Sequence, residues 1–167
     1  MKKISAIFLC FICIVSLSGC RKKEQSPDFF KTNLPFICDV QIKYDTFSAS
    51  GCLAYRNAAG ATLEILSPQE ISGIIFEYSG EQINASYKGI SFSLNDSAAT
   101  PAAKLIFSAL STASHKAAMT DGEKLFLTGK TDSTSWELYF DNKSGEIEAL
   151  YCPSLDLEVG FKNFEFI

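Results

Sequence analysis

The chain has 167 residues, 15 of them basic and 19 acidic, and a formal net charge of −4. Its length suits one domain of ordinary size that is able to bury a hydrophobic core. It has only two arginines, Arg21 and Arg56, and the acidic balance excludes the clustered basic face that nucleic-acid binding requires.

The first twenty residues have the pattern of a secretory signal, with two lysines, a short apolar run and then Leu17-Ser18-Gly19-Cys20. The apolar run is shorter than the ~20 residues that span a bilayer. Leu-Ser-Gly-Cys resembles the bacterial lipobox, which implies signal-peptidase recognition of Leu17, Ser18 and Gly19 and a diacylglycerol on the thiol of Cys20. The alternatives are a cleaved signal without lipid and a plain transmembrane anchor.

This interpretation divides the chain into a signal peptide at 1–19, a lipidated Cys20 with a polar linker at 20–34, and a domain at 35–167. The linker has too few apolar residues to form an element. We expect the mature protein to be lipid-anchored at the extracytoplasmic face of the cell membrane. In a cell with two membranes, Arg21 after the lipidated cysteine favours the outer membrane.

Six cysteines are present, and three of them lie in the signal or at the lipidation point. The other three, Cys38, Cys52 and Cys152, are an odd number, which excludes a disulfide framework of the small secreted kind. Two alternatives stay open. Either two of these cysteines form one disulfide bridge and the third is a free thiol, or all three are reduced.

Strict alternation begins after Pro35. The even positions of 36–44 and the odd positions of 47–56 are apolar, and a two-residue turn at Asp45-Thr46 places both sets on one face. This register puts Cys38 on the core face and Cys52 on the opposite face, so a bridge between them is not expected.

Eight further strands are predicted, together with a helical turn at 67–70 and a bulge near Asn163. One helix interrupts them, with Thr100 as N-cap and Pro101 at its first position. Its apolar stripe consists of Ala103, Ile106, Phe107, Leu110 and Ala113. The predicted strands are 61–66, 73–78, 83–87, 90–94, 124–128, 134–140, 145–152 and 155–166.

About ten strands with one apolar face and one striped helix predict a mainly β (α+β) fold. A strongly curved antiparallel sheet, an unclosed β-barrel wrapped over the helix, buries all the apolar faces together. Two alternatives stay open for the side chains between helix and sheet. They either line a cavity or pack together as ordinary core. The candidate cavity lining is Phe76, Tyr87, Phe92, Phe107, Leu110, Trp136 and Leu138.

Two stretches, 51–56 and 63–68, resemble the second and third strands of the LolA/LolB-like lipoprotein carriers. The first has a Gly-x-Leu pattern ending in a basic residue, and the second runs into a proline. The resemblance implies a half-open barrel whose helix covers an apolar, acyl-binding cavity as a lid. Asn57 stands where the family has a proline. Arg56 stands where the family often has an arginine bonded to the lid. Its position in the alternation, however, points it outward, as expected of a solvated residue at a strand end.

No enzyme is expected, and no cofactor or metal site. The single histidine, His115, has no neighbouring nucleophile motif, and the sequence has no Gly-x-Ser-x-Gly elbow or phosphate loop.

Two binding roles stay open. The protein holds a lipid or lipophilic ligand, or it is a tethered scaffold for an envelope or spore-cortex enzyme. The scaffold role predicts an exposed apolar patch or a free sheet edge, for which the last strand, 155–166, is the candidate.

Overall fold

The alternation seen in the sequence becomes a single antiparallel sheet in the computed structural model, which describes residues 24–25, 31–57, 60–80, 82–94, 101–114, 116, 118–121 and 124–167. Within these ranges the sheet has 12 strands. They are β1 (Glu24–Gln25), β2 (Phe36–Tyr44), β3 (Phe47–Asn57), β4 (Gly60–Ser67), β5 (Ile75–Ser79), β6 (Gln82–Tyr87), β7 (Ile90–Ser93), β8 (Ala118–Asp121), β9 (Lys124–Thr131), β10 (Thr134–Phe140), β11 (Ile147–Cys152) and β12 (Leu157–Phe166).

The order of the strands in space differs from their order in sequence at one important place. The sheet runs β1-β8-β9-β10-β11-β12-β2-β3-β4-β5-β6-β7, so two meanders are joined where β12 pairs with β2. The prediction that the last strand offers a free edge is therefore wrong for Leu157–Gly160, which pair with both β11 and β2. Within the described residues, the rest of β12 pairs with β2 alone. Among the described strands, the edges are β1 and β7.

The hairpin of β2 and β3 has the predicted register. Tyr44 pairs with Phe47 around a two-residue turn in which Asp45 has φ 53°. Cys38 is buried on the inner face, and Cys52 is half-buried opposite Asp39 on the outer face. Both thiols are free, as is that of the buried Cys152.

One long helix, α1 (Pro101–Ala113), follows the first meander. The predicted apolar stripe is buried, and Leu105 and Ala109 are buried beside it, so the apolar face is wider than the sequence indicated. Lys104 on the opposite side is exposed. Two short 3₁₀ turns, Lys31–Asn33 and Pro153–Leu155, complete the described helical elements.

The sheet curves around α1. Phe107 of the helix stacks on Tyr78 of β5, while Ser108 accepts a hydrogen bond from Thr131 of β9. These two strands are seven places apart in the sheet, or roughly 34 Å in a flat sheet with ~4.8 Å between strands. One helix about 10 Å wide contacts both, so the sheet is strongly curved. Its end strands in the described residues, β1 and β7, are not paired with each other, so the sheet is unclosed. The predicted fold class is confirmed.

The helical turn predicted at 67–70 is wrong. Residues 67–74 form bends and turns that begin with a cis peptide bond between Ser67 and Pro68. The segment closes as a hairpin, because the N–H of Ile65 donates to the carbonyl of Ile74 and the N–H of Gly73 donates to that of Ile65. Gly73 has φ 85°, which suits glycine in this tight closure.

Part of the predicted linker contacts the domain. Residues Glu24–Gln25 pair with β8, a strand that the sequence did not predict. The turn Lys31–Asn33 buries Thr32, and Lys31 forms an ion pair of 2.9 Å with Glu146. The bulge predicted near Asn163 is confirmed, since the register shifts there and Asn163 has φ 56°.

None of the helices in the described part of the chain is long and apolar enough to cross a membrane. The predicted signal peptide, lipobox residues Leu17, Ser18 and Gly19, and Cys20 lie outside the described residues, as does His115.

Candidate functional site

An apolar pocket of about 230 Å³ opens between the first turn of α1 and one end of strands β2 to β5. Among the residues that the structure describes, its lining has one polar side-chain group, the hydroxyl of Tyr44, and no charged side chain. The lining residues are Ile42, Tyr44, Phe47, Ala49, Leu63, Ile65, Ile71, Ile74, Phe76, Ala102 and Ala103.

Local sequence explains why this end of the sheet is hollow. Strand alternation turns Ile42 and Ala49 inward as a direct cross-strand pair. Small side chains at Ala49, Ala102 and Ala103 leave space between the helix start and the sheet. The turn at 67–74 then adds Ile71 and Ile74 as one wall, and Phe47, 43% exposed, lies at the mouth.

The seven predicted lining residues fall into three groups. Phe76 lines the pocket. Tyr87 is half-buried on β6, with the ammonium of Lys88 4.9 Å from its ring, and Phe92 lies on β7, where the structure does not describe its side chain. The other four are fully buried in the core: Phe107, Leu110, Trp136 and Leu138.

The packed middle of the molecule explains this division. Phe107 stacks on Tyr78 with ring centroids 5.4 Å apart, and Trp136 is 1% exposed. Large side chains therefore fill the space under the middle of α1, and the pocket lies at its N-terminal end. The signal that sequence reasoning missed is the pair of alanines in the first helical turn, which leaves a gap opposite apolar strand ends.

A hydrogen-bond chain fixes the helix to the β9–β10 hairpin. The indole N–H of Trp136 donates to Thr131 Oγ1 at 3.0 Å, and Thr131 donates to Ser108 Oγ at 2.7 Å. Lys104 adds an exposed ion pair of 2.8 Å with Asp132. We call this contact the helix latch. It holds α1 on the side away from the pocket.

The surroundings of Cys38 and Cys52 favour the neutral form of both thiols. Burial, followed by the neighbouring Cys52 and Asp39, raises the pKa of Cys38 to about 12. Burial and then Asp39 also raise the pKa of Cys52. Because the thiolate is the nucleophile, these surroundings disfavour cysteine chemistry. In the ranges described, no group of three or more His, Cys, Asp and Glu side chains is placed to hold a metal ion.

Arg56 is exposed at the end of β3, as its parity predicted.

No protein-family model matches the sequence, and no curated protein matches it. Solved structures resemble its fold. An uncharacterized conserved protein from Thermus thermophilus is 10% identical with a TM-score of 0.50, and the match covers 84% of each chain.

Two further solved structures have lower TM-scores. A LolA superfamily protein from Nitrosomonas europaea is 7% identical with a TM-score of 0.44, over 84% of this chain and 90% of that one. MucB, solved in complex with MucA, is 13% identical with a TM-score of 0.42, over 82% of this chain and 52% of that one. At such identities a likeness concerns the fold alone. An open sheet with one long helix is seen in the molecule itself.

Proposed function

We propose that this protein is a non-catalytic, membrane-tethered lipoprotein that holds one acyl chain in the apolar pocket. The observation that supports this most directly is the chemistry of the lining, which offers aliphatic and aromatic surface and a single hydroxyl among the described residues. Each methylene group moved from water into such a pocket contributes about 0.8 kcal/mol.

The size of the pocket limits the ligand. Its 230 Å³ is below the ~300–1,000 Å³ typical of pockets that enclose a whole drug-sized ligand. The pocket therefore suits one apolar segment of a lipid, with the headgroup left outside. Exposed Phe47 at the mouth offers further apolar contact to the part of the chain that emerges.

The experiment is a titration of the full chain, purified in a neutral detergent, with a fluorescent fatty acid. Ala102→Phe fills the pocket from the helix side, and we expect it to weaken binding about tenfold or more. Ala54→Phe is the matched control, because Ala54 is a half-buried alanine on the outer face of β3. Equal affinity of the two variants would contradict the acyl-binding proposal.

The tether is tested separately. Lipidation of Cys20 predicts that Cys20→Ser moves the protein from the membrane pellet to the soluble fraction and prevents the mass increase from acylation. A variant that keeps the wild-type mass and stays in the pellet would contradict the lipoprotein assignment without affecting the pocket.

A scaffold for an envelope protein is the second candidate, and edge strand β7 favours it. Ile90 at its start is 69% exposed, and the described sheet ends at this strand. An open edge accepts an added strand from a partner. A photo-crosslinker at Ile90 should capture one dominant partner in cells, whereas the same group at Glu64 on the outer face should not.

A further inference from the structure

A second concave surface lies on the outer face of the sheet, away from the apolar pocket. It is a groove of about 550 Å³ over strands β9, β10 and β11. Its lining combines aromatic rings with carboxylates and one lysine. The lining residues are Lys124, Leu125, Glu137, Tyr139, Phe140, Asp141, Asn142, Glu148, Ala149, Tyr151 and Pro153. We call it the outer groove.

The sizes of the side chains across one row of the sheet create this groove. Phe126, Tyr139, Ala149 and Gly160 are successive cross-strand partners. The row therefore passes from two large rings to a methyl group and then to no side chain. A Cβ placed on Gly160 would meet nothing within 4 Å, so the floor beyond Tyr139 is open.

Aromatic rings form one wall of the outer groove. Tyr139 lies between Phe126, at a centroid distance of 5.9 Å, and Tyr151, at 5.5 Å and an interplanar angle of 85°. Tyr151 is 38% exposed, so part of its surface is available to a ligand.

A β-bulge directs Glu148 outward at the floor of the groove. Tyr139 pairs with Ala149 while Phe140 pairs with Ile147, which leaves Glu148 as the additional residue on β11. Bulges re-aim side chains and are common beside functional sites. Glu148 is exposed as a result.

The groove has an excess of negative charge that faces solvent. Glu137, Asp141 and Glu148 are opposed by Lys124 alone among the lining residues. The ion pairs of the described residues join Lys31 to Glu146, Lys43 to Glu158 and Lys104 to Asp132, and so involve none of these three carboxylates.

Hydrogen bonds hold two of the three carboxylates in position. The hydroxyl of Tyr139 donates to Glu137 at 2.7 Å, which orients this carboxylate beside the ring. The backbone N–H groups of Lys143 and Ser144 donate to Asp141. The ammonium of Lys124 lies 5.8 Å from the centre of the Tyr139 ring, so this ring already accepts a cation at its face.

We propose that the outer groove binds a positively charged peptide segment of a partner protein. An arginine or lysine side chain lies against Tyr139 and Tyr151, with its charged end between Glu137 and Glu148. A guanidinium group matches this setting best, because it pairs with a carboxylate through two hydrogen bonds and also stacks on aromatic rings. An anionic membrane surface or nucleic acid is disfavoured by the charge of the same carboxylates.

The test uses the full chain in neutral detergent and two dye-labelled hexapeptides, one alternating glycine with arginine and one alternating glycine with glutamate. We expect binding of the arginine peptide alone, weakened about tenfold by a rise from roughly 0.05 to 0.5 M salt. Glu137→Gln with Glu148→Gln should weaken it about tenfold or more. Ala149→Leu should also weaken it, because this substitution fills the floor without changing the charge.

Glu64→Gln with Glu70→Gln is the matched control, since it removes the same charge from exposed positions elsewhere. The proposal is supported if this control binds the arginine peptide as the wild type does. It is overturned if the control loses affinity as strongly as the groove variant, if the groove variant binds normally, or if the wild type does not bind the arginine peptide. The single variant Glu148→Gln, at an exposed position, gives the same decision if the double variant fails to fold.

Discussion

At the scale of single residues, two glycines of the second meander differ in what surrounds them. Gly129 of β9 faces Trp136 of β10 across the ladder, and a Cβ on Gly129 would overlap the indole ring. Gly160 of β12 has open space where its Cβ would lie. Glycine is therefore required at Gly129 by contact with a core side chain and is not required at Gly160.

Gly129→Ala should lower the free energy of unfolding by about 1–3 kcal/mol, because the indole ring has to move from its packed position. Trp136 is the single tryptophan, so its emission should shift to the red in the variant. Urea unfolding followed by fluorescence measures both effects. Gly160→Ala serves as the control and should be neutral or slightly stabilising. Equal destabilisation by the two substitutions would contradict this account.

The ionisation of Asp141 makes the stability of the β10–β11 turn depend on pH. The backbone N–H groups of Ser144 and then Lys143 hold the pKa of this carboxyl below its usual value near 3.8. A carboxyl whose pKa is lower in the folded state stabilises the fold above its unfolded pKa, and this stabilisation is lost as the pH falls through the folded pKa.

Asp141→Ala should therefore be less stable than the wild type at about pH 6, and the difference should shrink as the pH falls below about 4. Guanidinium unfolding at a series of pH values measures it. A difference that stays constant down to the acid limit would show that the ionised carboxylate is not what stabilises the turn.

At the scale of elements, the helix latch holds α1 against the β9–β10 hairpin. Thr131 is its central residue, since its hydroxyl accepts from Trp136 and donates to Ser108. The ion pair of Lys104 with Asp132 belongs to the same contact, but both side chains are largely exposed.

Thr131→Val should lower the free energy of unfolding by about 1–3 kcal/mol, because it leaves the buried indole N–H without an acceptor. Lys104→Gln should cost only about 0–1 kcal/mol, as is usual for a solvated ion pair. Urea midpoints of the two variants measure the difference. A larger loss for Lys104→Gln than for Thr131→Val would contradict this order.

The elements that the sequence predicted well depend on neighbours in the chain. The register of β2 and β3 follows from the two-residue turn at Asp45-Thr46, and α1 follows from a helical stripe after Pro101. The turn at 67–74 was mispredicted because its pairing of Ile65 with Gly73 and Ile74 outweighs the local helical signal. β1 and β8 are short and pair with each other over a long sequence separation, which alternation alone does not show.

The candidate sites were less predictable for the same reason. Phe76 was identified by its inward parity, but Phe107 and Trp136 share that inward character and are packed in the core. Which aromatic side chains face empty space depends on small residues brought from elsewhere, such as Ala49 and Ala102. The outer groove depends on a bulge at Glu148, whose position is set by the pairing of two strands.

At the scale of the whole molecule, β12 joins the two meanders. Val159 pairs with Leu150 of β11 and with Ile42 of β2, and it is completely buried. The two halves of the sheet meet in this strand, so its integrity decides whether they form one sheet.

Val159→Pro should abolish cooperative unfolding, because proline removes a donor from a central strand and disrupts its pairing. Ile90→Pro is the control, since Ile90 is the exposed first residue of edge strand β7, where proline is tolerated. Thermal unfolding followed by circular dichroism distinguishes them. A cooperative transition in Val159→Pro would show that the halves hold together without β12.

The position of β12 also sets the time at which the chain is able to fold. Its ten residues are synthesised long after those of β2, yet they pair with β2 near the start of the domain. The sheet is therefore incomplete until β12 has emerged from the ribosome, and long-range pairing of this kind forms slowly. The first meander is therefore complete before the strand that joins the two halves of the sheet is available for pairing.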